Sequence, residues 1–216
     1  MALSTKAWRG WLVLTAGLLP LIYLGWQIIR LQSGEWDVLG PEPGRAIVFF
    51  TGSWAFNLLL AGLAISPLRR LGIKWPATHR RMVGLLAFSY ATCHLLAYAA
   101  FLLEWQWREI ASELVERPYL TLGMFAWLLL LPLAVTSHSY WQRRLKQRWK
   151  QLHALVYLIA VLAAIHYLLQ IRSNWFEPVL YIVVAMLLLA ERLWRKWWRK
   201  PSVRISAAQK LHISLK

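Results

Sequence analysis

The sequence has a single cysteine and few acidic residues. Cys93 alone cannot form an intramolecular disulfide. Only nine of the 216 residues are Asp or Glu, against 25 Lys and Arg, so the formal charge is +16. The chain also lacks a nucleophile elbow, a Walker loop and a G-x-G-x-x-G motif. These absences exclude the common sequence signatures of hydrolases and of nucleotide-binding enzymes.

Long apolar runs dominate the composition instead. Hydrophobic residues make up 59% of the chain, and its charges cluster between the runs, which favours a membrane protein over a nucleic-acid-binding one. A membrane-spanning helix needs about 20 mostly apolar residues. Six segments meet this requirement: residues 8–30, 46–68, 82–103, 119–137, 151–170 and 177–194. We therefore predict an all-α integral membrane protein, a bundle of six transmembrane helices in a single domain over residues 1–216.

The charges of the connecting segments predict the orientation. Twenty of the 25 Lys and Arg, with Glu191 as the one acid, lie in four segments: the N-terminus, residues 69–81, residues 138–150 and residues 191–216. The other segments hold eight of the nine acids. The positive-inside rule then places both termini in the cytoplasm, with a basic tail over residues 195–216. Residues 104–117 have helical periodicity and predict a short amphipathic helix on the outer surface.

Three histidines lie within the predicted spans. His153 and His166 belong to the fifth helix, about 20 Å apart along its axis at 1.5 Å per residue. His94 lies in the third helix, which runs in the same direction, at about the depth of His166. Two histidines from parallel helices at one depth are what a bis-imidazole haem requires, since each donates a neutral nitrogen to the iron.

Histidines within a membrane can also serve roles that involve no haem. A lone transmembrane histidine can simply hydrogen-bond a neighbouring helix. Zinc would need three or four clustered ligands, and no acidic ligand lies inside the helices. The TCHL sequence around Cys93 lacks the C-x-x-C-H spacing of covalent haem attachment. Three histidines on two helices, two of them level, favour haem. The remaining ones, His79, His138 and His212, lie at interfaces or in the tail.

The stretch QRWKQLHALVYLIAVLAAIHYL resembles the fifth helix of the MsrQ family, also called YedZ. Shorter matches follow in the family's order: TAGLLP (15–20), FTG (50–52), ISPL (65–68), HRRMVGL (79–85) and RPYLTLG (117–123). The resemblance covers residues 10–195. It implies a multi-pass protein of the bacterial inner membrane, the haem-binding subunit of a periplasmic methionine-sulfoxide reductase system. The family belongs to the ferric-reductase-like transmembrane group.

Relatives in that group typically stack two haems, using two histidines on each of two helices. Only the outer pair is complete in this chain. The position expected for the inner partner of His153 holds Arg81, and an arginine cannot ligate haem. Three roles for His153 stay open. It could ligate a second haem with His79 or His138 as substitute partner, contact a flavin or quinone, or only brace the helix.

The resemblance also implies FMN, whose phosphate Arg80 and Arg81 would bind at the cytoplasmic interface; positive-inside asymmetry alone would also explain both arginines. We therefore expect an electron-transfer subunit rather than a catalytic one. Electrons would come from the quinone pool or a cytoplasmic flavin reductase. They would pass through haem b to a periplasmic molybdopterin enzyme that reduces methionine sulfoxide in oxidised proteins.

Two alternative functions remain. The first is a stand-alone ferric or oxygen reductase of the same fold. A fused FAD/NADPH domain would distinguish it, and residues 195–216 are too few to form one. The second is a transporter with a histidine proton relay, which would show no haem absorbance. In each case the chain's surroundings are the lipid bilayer, and no nucleic-acid partner is expected.

Overall fold

The computed structural model describes residues 5–170 and 175–198, which are largely helical and contain no β-strand. The all-α prediction is confirmed. The described helices are α1 (Thr5–Gln32), α2 (Pro43–Arg70), α3 (Arg80–Ala97), α4 (Trp107–Glu116), α5 (Pro118–Val135), α6 (Ser139–Leu145), α7 (Gln147–His153), α8 (Leu155–Leu169) and α9 (Phe176–Trp198). A 3₁₀ turn, Trp75–His79, leads into α3, and a π-helical turn, Tyr98–Leu102, continues it. His212 and most of the predicted basic tail lie outside the described residues.

Five helical stretches among the described residues are long and apolar enough to cross a membrane. They are Ala7–Gln32, Pro43–Arg70, Trp75–Leu102, Pro118–Val135 and Gln147–Leu169. They correspond to the first five predicted spans. Large apolar side chains on their outer faces are exposed, for example Leu19 at 64% and Ile22 at 66%. In a multi-pass membrane protein such faces contact lipid.

The sixth predicted span is a helix, α9, but it is not among those five. Its uninterrupted apolar part covers only residues 178–190, between Glu177 and Glu191. A run of this length is shorter than the hydrocarbon thickness of a bilayer requires. Glu191 also forms ion pairs with Arg70 of α2 and with Arg195. The count of six spans is therefore not confirmed.

The connecting segments contain more helix than the charge pattern alone predicts. The amphipathic helix expected over residues 104–117 is present as α4. The basic segment 138–150 contains α6, whose first turn is capped because the Tyr140 N–H donates to His138 Nδ1 at 3.2 Å. Lys146, with φ of +49°, separates α6 from α7. The predicted fifth helix is interrupted at Ala154, between α7 and α8.

The core lies between α2, α5, α8 and α9. Its most buried members include Leu63 of α2 and the neighbours Ile159 and Ala160 of α8, the latter two without measurable exposure. Small residues, among them Ala126 of α5 and Ala185 of α9, allow close approach of the backbones. Helix α2 packs mainly on α3, and α5 packs mainly on α8. Helices α2, α3, α5 and α8 provide most of the lining of the two cavities described next.

Candidate functional site

His94 of α3 and His166 of α8 lie side by side. Their ring centroids are 6.2 Å apart, and the ring planes are inclined by 80°. Both rings line the same cavity, which we call the histidine cavity. The level placement predicted from the two helix depths is therefore present.

Backbone carbonyl groups hold both rings through Nδ1. His94 Nδ1 lies 2.8 Å from the carbonyl oxygen of Val48, and His166 Nδ1 lies 2.6 Å from that of Tyr119. A carbonyl only accepts, so each Nδ1 carries the proton and donates. In a neutral imidazole, Nε2 then keeps its lone pair. Metal-ligating histidines have the same arrangement: one ring nitrogen donates a hydrogen bond that sets the tautomer, and the other is left to bind the metal.

Two glycines make room for these rings. A Cβ on Gly52 of α2 would lie 2.8 Å from His94 Nδ1, and a Cβ on Gly123 of α5 would lie 2.9 Å from His166 Nδ1. A Cβ atom is essentially never found this close to another side chain, so any larger residue would displace the ring. Each histidine therefore packs against a glycine of the neighbouring helix, and each pair of helices approaches closely there.

The histidine cavity is narrow and mainly apolar. Its volume is about 160 Å³, and its lining includes Leu95, Met124 and Trp127. Trp127 is fixed by a hydrogen bond from Nε1 to Thr92 Oγ1 at 3.1 Å. Towards the α4 end, the lining also includes Glu113. An apolar cavity with a few placed polar groups is the usual form of a cofactor site.

A second cavity adjoins the first. Leu59, Ala87 and Leu130 line both of them. The second cavity has a volume of about 620 Å³. No acidic residue is among the described residues that line it. Its lining includes four cationic residues: Arg80, Arg81, Lys150 and Arg192. We call it the arginine cavity.

Two of these arginines are held by neutral groups. Arg80 donates to Ser66 Oγ at 2.6 Å, and Arg192 donates to the carbonyl oxygen of Leu63 at 2.5 Å. The Arg192 guanidinium also lies 4.8 Å from the centre of the Tyr157 ring. Within the described part of the chain, neither guanidinium forms an ion pair. Their charge is therefore available to an anionic ligand.

Comparison with known proteins shows the family. The family model described as ferric reductase like transmembrane component matches residues 49–164. The protein-methionine-sulfoxide reductase heme-binding subunit MsrQ of Xanthomonas axonopodis pv. citri (strain 306) is 46% identical over 186 residues, covering 86% of this chain and 85% of the relative. The chain belongs to the MsrQ family. A relative with the same name, from Pectobacterium carotovorum subsp. carotovorum (strain PC1), is 44% identical over 191 residues, covering 85% of this chain and 92% of the relative. No solved structure matches the chain significantly.

The short stretches that carry the MsrQ resemblance include both glycines of the histidine cavity. FTG ends at Gly52 and RPYLTLG ends at Gly123. In the sequence alone these stretches indicate the family, and nothing in them predicts a role for either glycine. Lys150 and Arg192 likewise read only as cytoplasmic charge. The convergence of these residues on the two cavities depends on packing between distant helices.

His153 lines a different cavity from His94 and His166. His153 lines the arginine cavity, as does Arg81, but its ring stacks on Trp149 with centroids 3.9 Å apart. Its Nδ1 lies 3.2 Å from the Trp149 carbonyl oxygen. Neither His79 nor His138 is among the described residues that line this cavity. His79 instead packs near Gly10 of α1.

Proposed function

We propose that this member of the MsrQ family binds haem b and acts as an electron-transfer subunit of a membrane methionine-sulfoxide reductase system. One observation carries the proposal: His94 and His166, from two different helices, line one cavity with their ring centroids 6.2 Å apart. Both have Nδ1 bound to a backbone carbonyl group. The relatives at 44–46% identity are named as heme-binding subunits, which supports the same cofactor here.

The distance between the rings suits two axial ligands of one metal ion. Metal–imidazole bonds are about 2 Å long, and adding both bonds to the two ring radii gives centroids roughly 6 Å apart. In residues 5–170 and 175–198, no group of three or more His, Cys, Asp and Glu could hold a metal ion. An ion between the two rings would therefore need its other ligands from a cofactor, as a porphyrin provides.

The cavity volume requires some adjustment. About 160 Å³ is less than the roughly 300–1,000 Å³ of typical cofactor sites. Binding a macrocycle would therefore require lining side chains to move outward. Met124 and Leu95 are suited to this, because flexible apolar side chains repack easily. His94 and His166 would keep their hydrogen bonds to the carbonyl groups of Val48 and Tyr119.

Haem would supply a centre that accepts and releases one electron. The protein's own contribution is structural and electrostatic. His94 and His166 would present neutral Nε2 atoms, and the carbonyl groups of Val48 and Tyr119 would keep those nitrogens unprotonated. The apolar lining would exclude water. The cationic residues Arg80, Arg81, Lys150 and Arg192 would bind an anionic group in the adjacent arginine cavity.

The arginine cavity supports an anionic electron donor or cofactor next to the haem site. Its volume of about 620 Å³ lies in the range of small-molecule sites, and Arg80 and Arg81 are joined there by Lys150 and Arg192. We assign FMN to it, with the phosphate bound by these cations. A quinone bound next to the flavin, or a cytoplasmic flavin reductase, would be the donor. His153 would contact the flavin or quinone rather than a second haem.

We assign both termini to the cytoplasm of a bacterial inner membrane, with α9 as the sixth span. The charge asymmetry of the loops supports this orientation. It places the histidine cavity near the periplasmic face and the arginine cavity near the cytoplasmic face. The acceptor would be a periplasmic molybdopterin subunit that reduces methionine sulfoxide in oxidised proteins. The exposed acids of α4 and its preceding turn, Glu104, Glu109 and Glu116, would help to orient it.

The family match to a ferric reductase like component favours one competing function, a stand-alone ferric or oxygen reductase. Stopped-flow reoxidation of the dithionite-reduced full-length protein, without oxygen, separates the two. We expect reoxidation only when the periplasmic reductase and methionine sulfoxide are both present. Reduction of one sulfoxide to thioether and water consumes two electrons and two protons, so two electrons should leave the reduced protein per sulfoxide. Reoxidation by ferric chelates alone, or by oxygen readmitted in a parallel run without the partner, would support the competing function.

A further inference from the structure

Glu113 of α4 carries a charge on the wall of the histidine cavity. Among the described residues that line this cavity, it is the only Asp, Glu, Lys or Arg. Its side chain is 18% exposed. The neighbouring acids Glu109 and Glu116 of the same helix are exposed and do not line the cavity. All three acids belong to one short helix, and the structure turns only Glu113 of the three towards the cavity.

Both carboxylate oxygens of Glu113 have a fixed partner. The Tyr98 hydroxyl donates to Oε2 at 3.1 Å, and an Arg117 Nη2 donates to Oε1 at 2.6 Å. Arg117 Nη1 also donates to the Tyr119 hydroxyl at 3.1 Å. The carbonyl group of Tyr119 in turn accepts the hydrogen bond from His166. The carboxylate is thus linked through Arg117 to Tyr119, whose backbone carbonyl group holds His166.

The backbone around Glu113 is also held in place. The Thr121 hydroxyl of α5 donates to the carbonyl oxygen of Leu114, and the Arg117 N–H donates to that of Glu113 at 2.9 Å. Tyr98 begins the π-helical turn that follows the α3 helix of His94. The chain then turns sharply at Glu104 and Trp105, with φ of +46° and +58°, before α4 begins. Helix α4 is therefore fastened over the end of the cavity by contacts with both neighbours.

The two members of the ion pair differ in exposure. The Arg117 side chain is 43% exposed, against 18% for Glu113, and Arg117 does not line the cavity. The hydrogen bond with Tyr119 raises the pKa of Arg117 above its ordinary value, so its guanidinium is charged at neutral pH. Water screens the outer charge more strongly than the inner one. The contribution of this ion pair to the electrostatic potential inside the cavity is therefore negative.

We propose that Glu113 lowers the reduction potential of the haem held between His94 and His166. This rests on the proposed function. Reduction adds one electron to the cavity, and a carboxylate on its wall opposes that added charge by Coulomb repulsion, which is strong where the surroundings are apolar. Arg117 partly offsets this effect from the solvent side. Glu113 is a tuning residue: it sets how readily the electron passes on to the acceptor.

Potentiometric titration of the purified full-length protein tests the proposal. The fraction of reduced haem is read from the absorbance spectrum, with redox mediators, for the wild type, Glu113→Gln, Arg117→Gln and Glu116→Gln. Glutamine keeps the size of the side chain and still accepts from Tyr98. We expect Glu113→Gln to raise the midpoint potential and Arg117→Gln to lower it. Glu116→Gln is the matched control from the exposed face, and it should leave the potential unchanged.

The opposite signs distinguish charge from mere bracing. If Glu113 only fastened α4, both substitutions would loosen the same end of the cavity and shift the potential in the same direction. An unchanged or lowered potential in Glu113→Gln, with haem content and spectrum as in the wild type, overturns the proposal. If Glu113→Gln does not fold, Arg117→Gln decides alone: a lowered potential supports the proposal, and an unchanged or raised one overturns it. A wild-type protein without haem would instead refute the proposed function.

Discussion

Gly52 of α2 lies so close to the His94 ring that a Cβ at position 52 would be 2.8 Å from Nδ1. The same ring nitrogen donates to the carbonyl group of Val48, one helical turn earlier on α2. Helix α2 therefore both anchors the imidazole and leaves space for it. Gly123 has the corresponding position against His166.

Alanine at either glycine should weaken haem binding. The added methyl group would push the ring away and break its backbone hydrogen bond. Loss of such a supporting interaction costs about 10- to 100-fold in metal affinity. We expect Gly52→Ala and Gly123→Ala to lower the haem-to-protein ratio, measured by the pyridine haemochromogen assay. Gly25→Ala is the control, because nothing lies within 4 Å of a Cβ there. Full haem content in both cavity variants would contradict the assigned geometry.

Removal of cations from the arginine cavity should weaken FMN binding. A charge-assisted hydrogen bond contributes about 1.5–3 kcal/mol, so Arg80→Gln and Arg192→Gln should each weaken FMN binding about tenfold or more. Quenching of flavin fluorescence by the purified protein gives the affinity. Arg69→Gln serves as the control, since Arg69 is exposed and does not line the cavity. Riboflavin, which lacks the phosphate, should bind equally weakly to wild type and variants. Equal affinity of the wild type for FMN and riboflavin would exclude phosphate recognition.

Reporter fusions should reveal the alternating orientation. Fusions after Arg70 and Arg148 should report the cytoplasm, and fusions after Gly40 and Glu113 should report the periplasm. A fusion after Trp198 tests whether α9 spans the membrane, and we expect it to be cytoplasmic. A periplasmic signal at Trp198 alone would leave five spans and move the C-terminus. Reversal at any other site would require a different assignment of the first five helices.

Charge reversal on the exposed face of α4 should slow electron transfer to the periplasmic partner. Glu109→Lys and Glu116→Lys remove negative charge without touching the cavity. The rate of haem reoxidation by the periplasmic reductase and methionine sulfoxide should fall several-fold at low ionic strength. It should approach the wild-type rate in high salt, because screening removes steering. Arg108→Lys, which alters an exposed side chain of the same helix but keeps its charge, is the control. Rates independent of both charge and salt would exclude docking on this face.

Much of the fold could be predicted from apolar run length. The first five spans follow from uninterrupted hydrophobic segments, and Pro118 lies in the first turn of α5 where a missing N–H is tolerated. Helix α9 is harder to predict as a membrane span. Its total length is sufficient, but charged residues at both ends shorten the apolar part. The short α6 and the break at Ala154 depend on local capping and on Lys146, whose conformation no hydrophobic period reveals.

The site was only partly predictable. The level position of His94 and His166 could be predicted, because their helices run in the same direction and each residue adds the same rise along the axis. Which nitrogen is free depends on carbonyl groups of other helices, and sequence spacing cannot provide that. Glu113 illustrates the same limit: its neighbours on α4 have the same charge, and only the packing of Tyr98 and Arg117 turns it inward. His153 stays a prediction as a cofactor contact.

Haem content across the histidine variants tests the central claim most directly. The full-length wild type and the variants His94→Ala, His166→Ala and His153→Ala are purified together, and their haem-to-protein ratios and absorbance spectra are compared. We predict that either change in the histidine cavity removes most of the haem, because one axial position becomes vacant beside a new void. His153→Ala should retain most of it, since that ring stacks on Trp149 in the other cavity. Full haem occupancy in His166→Ala would contradict the account.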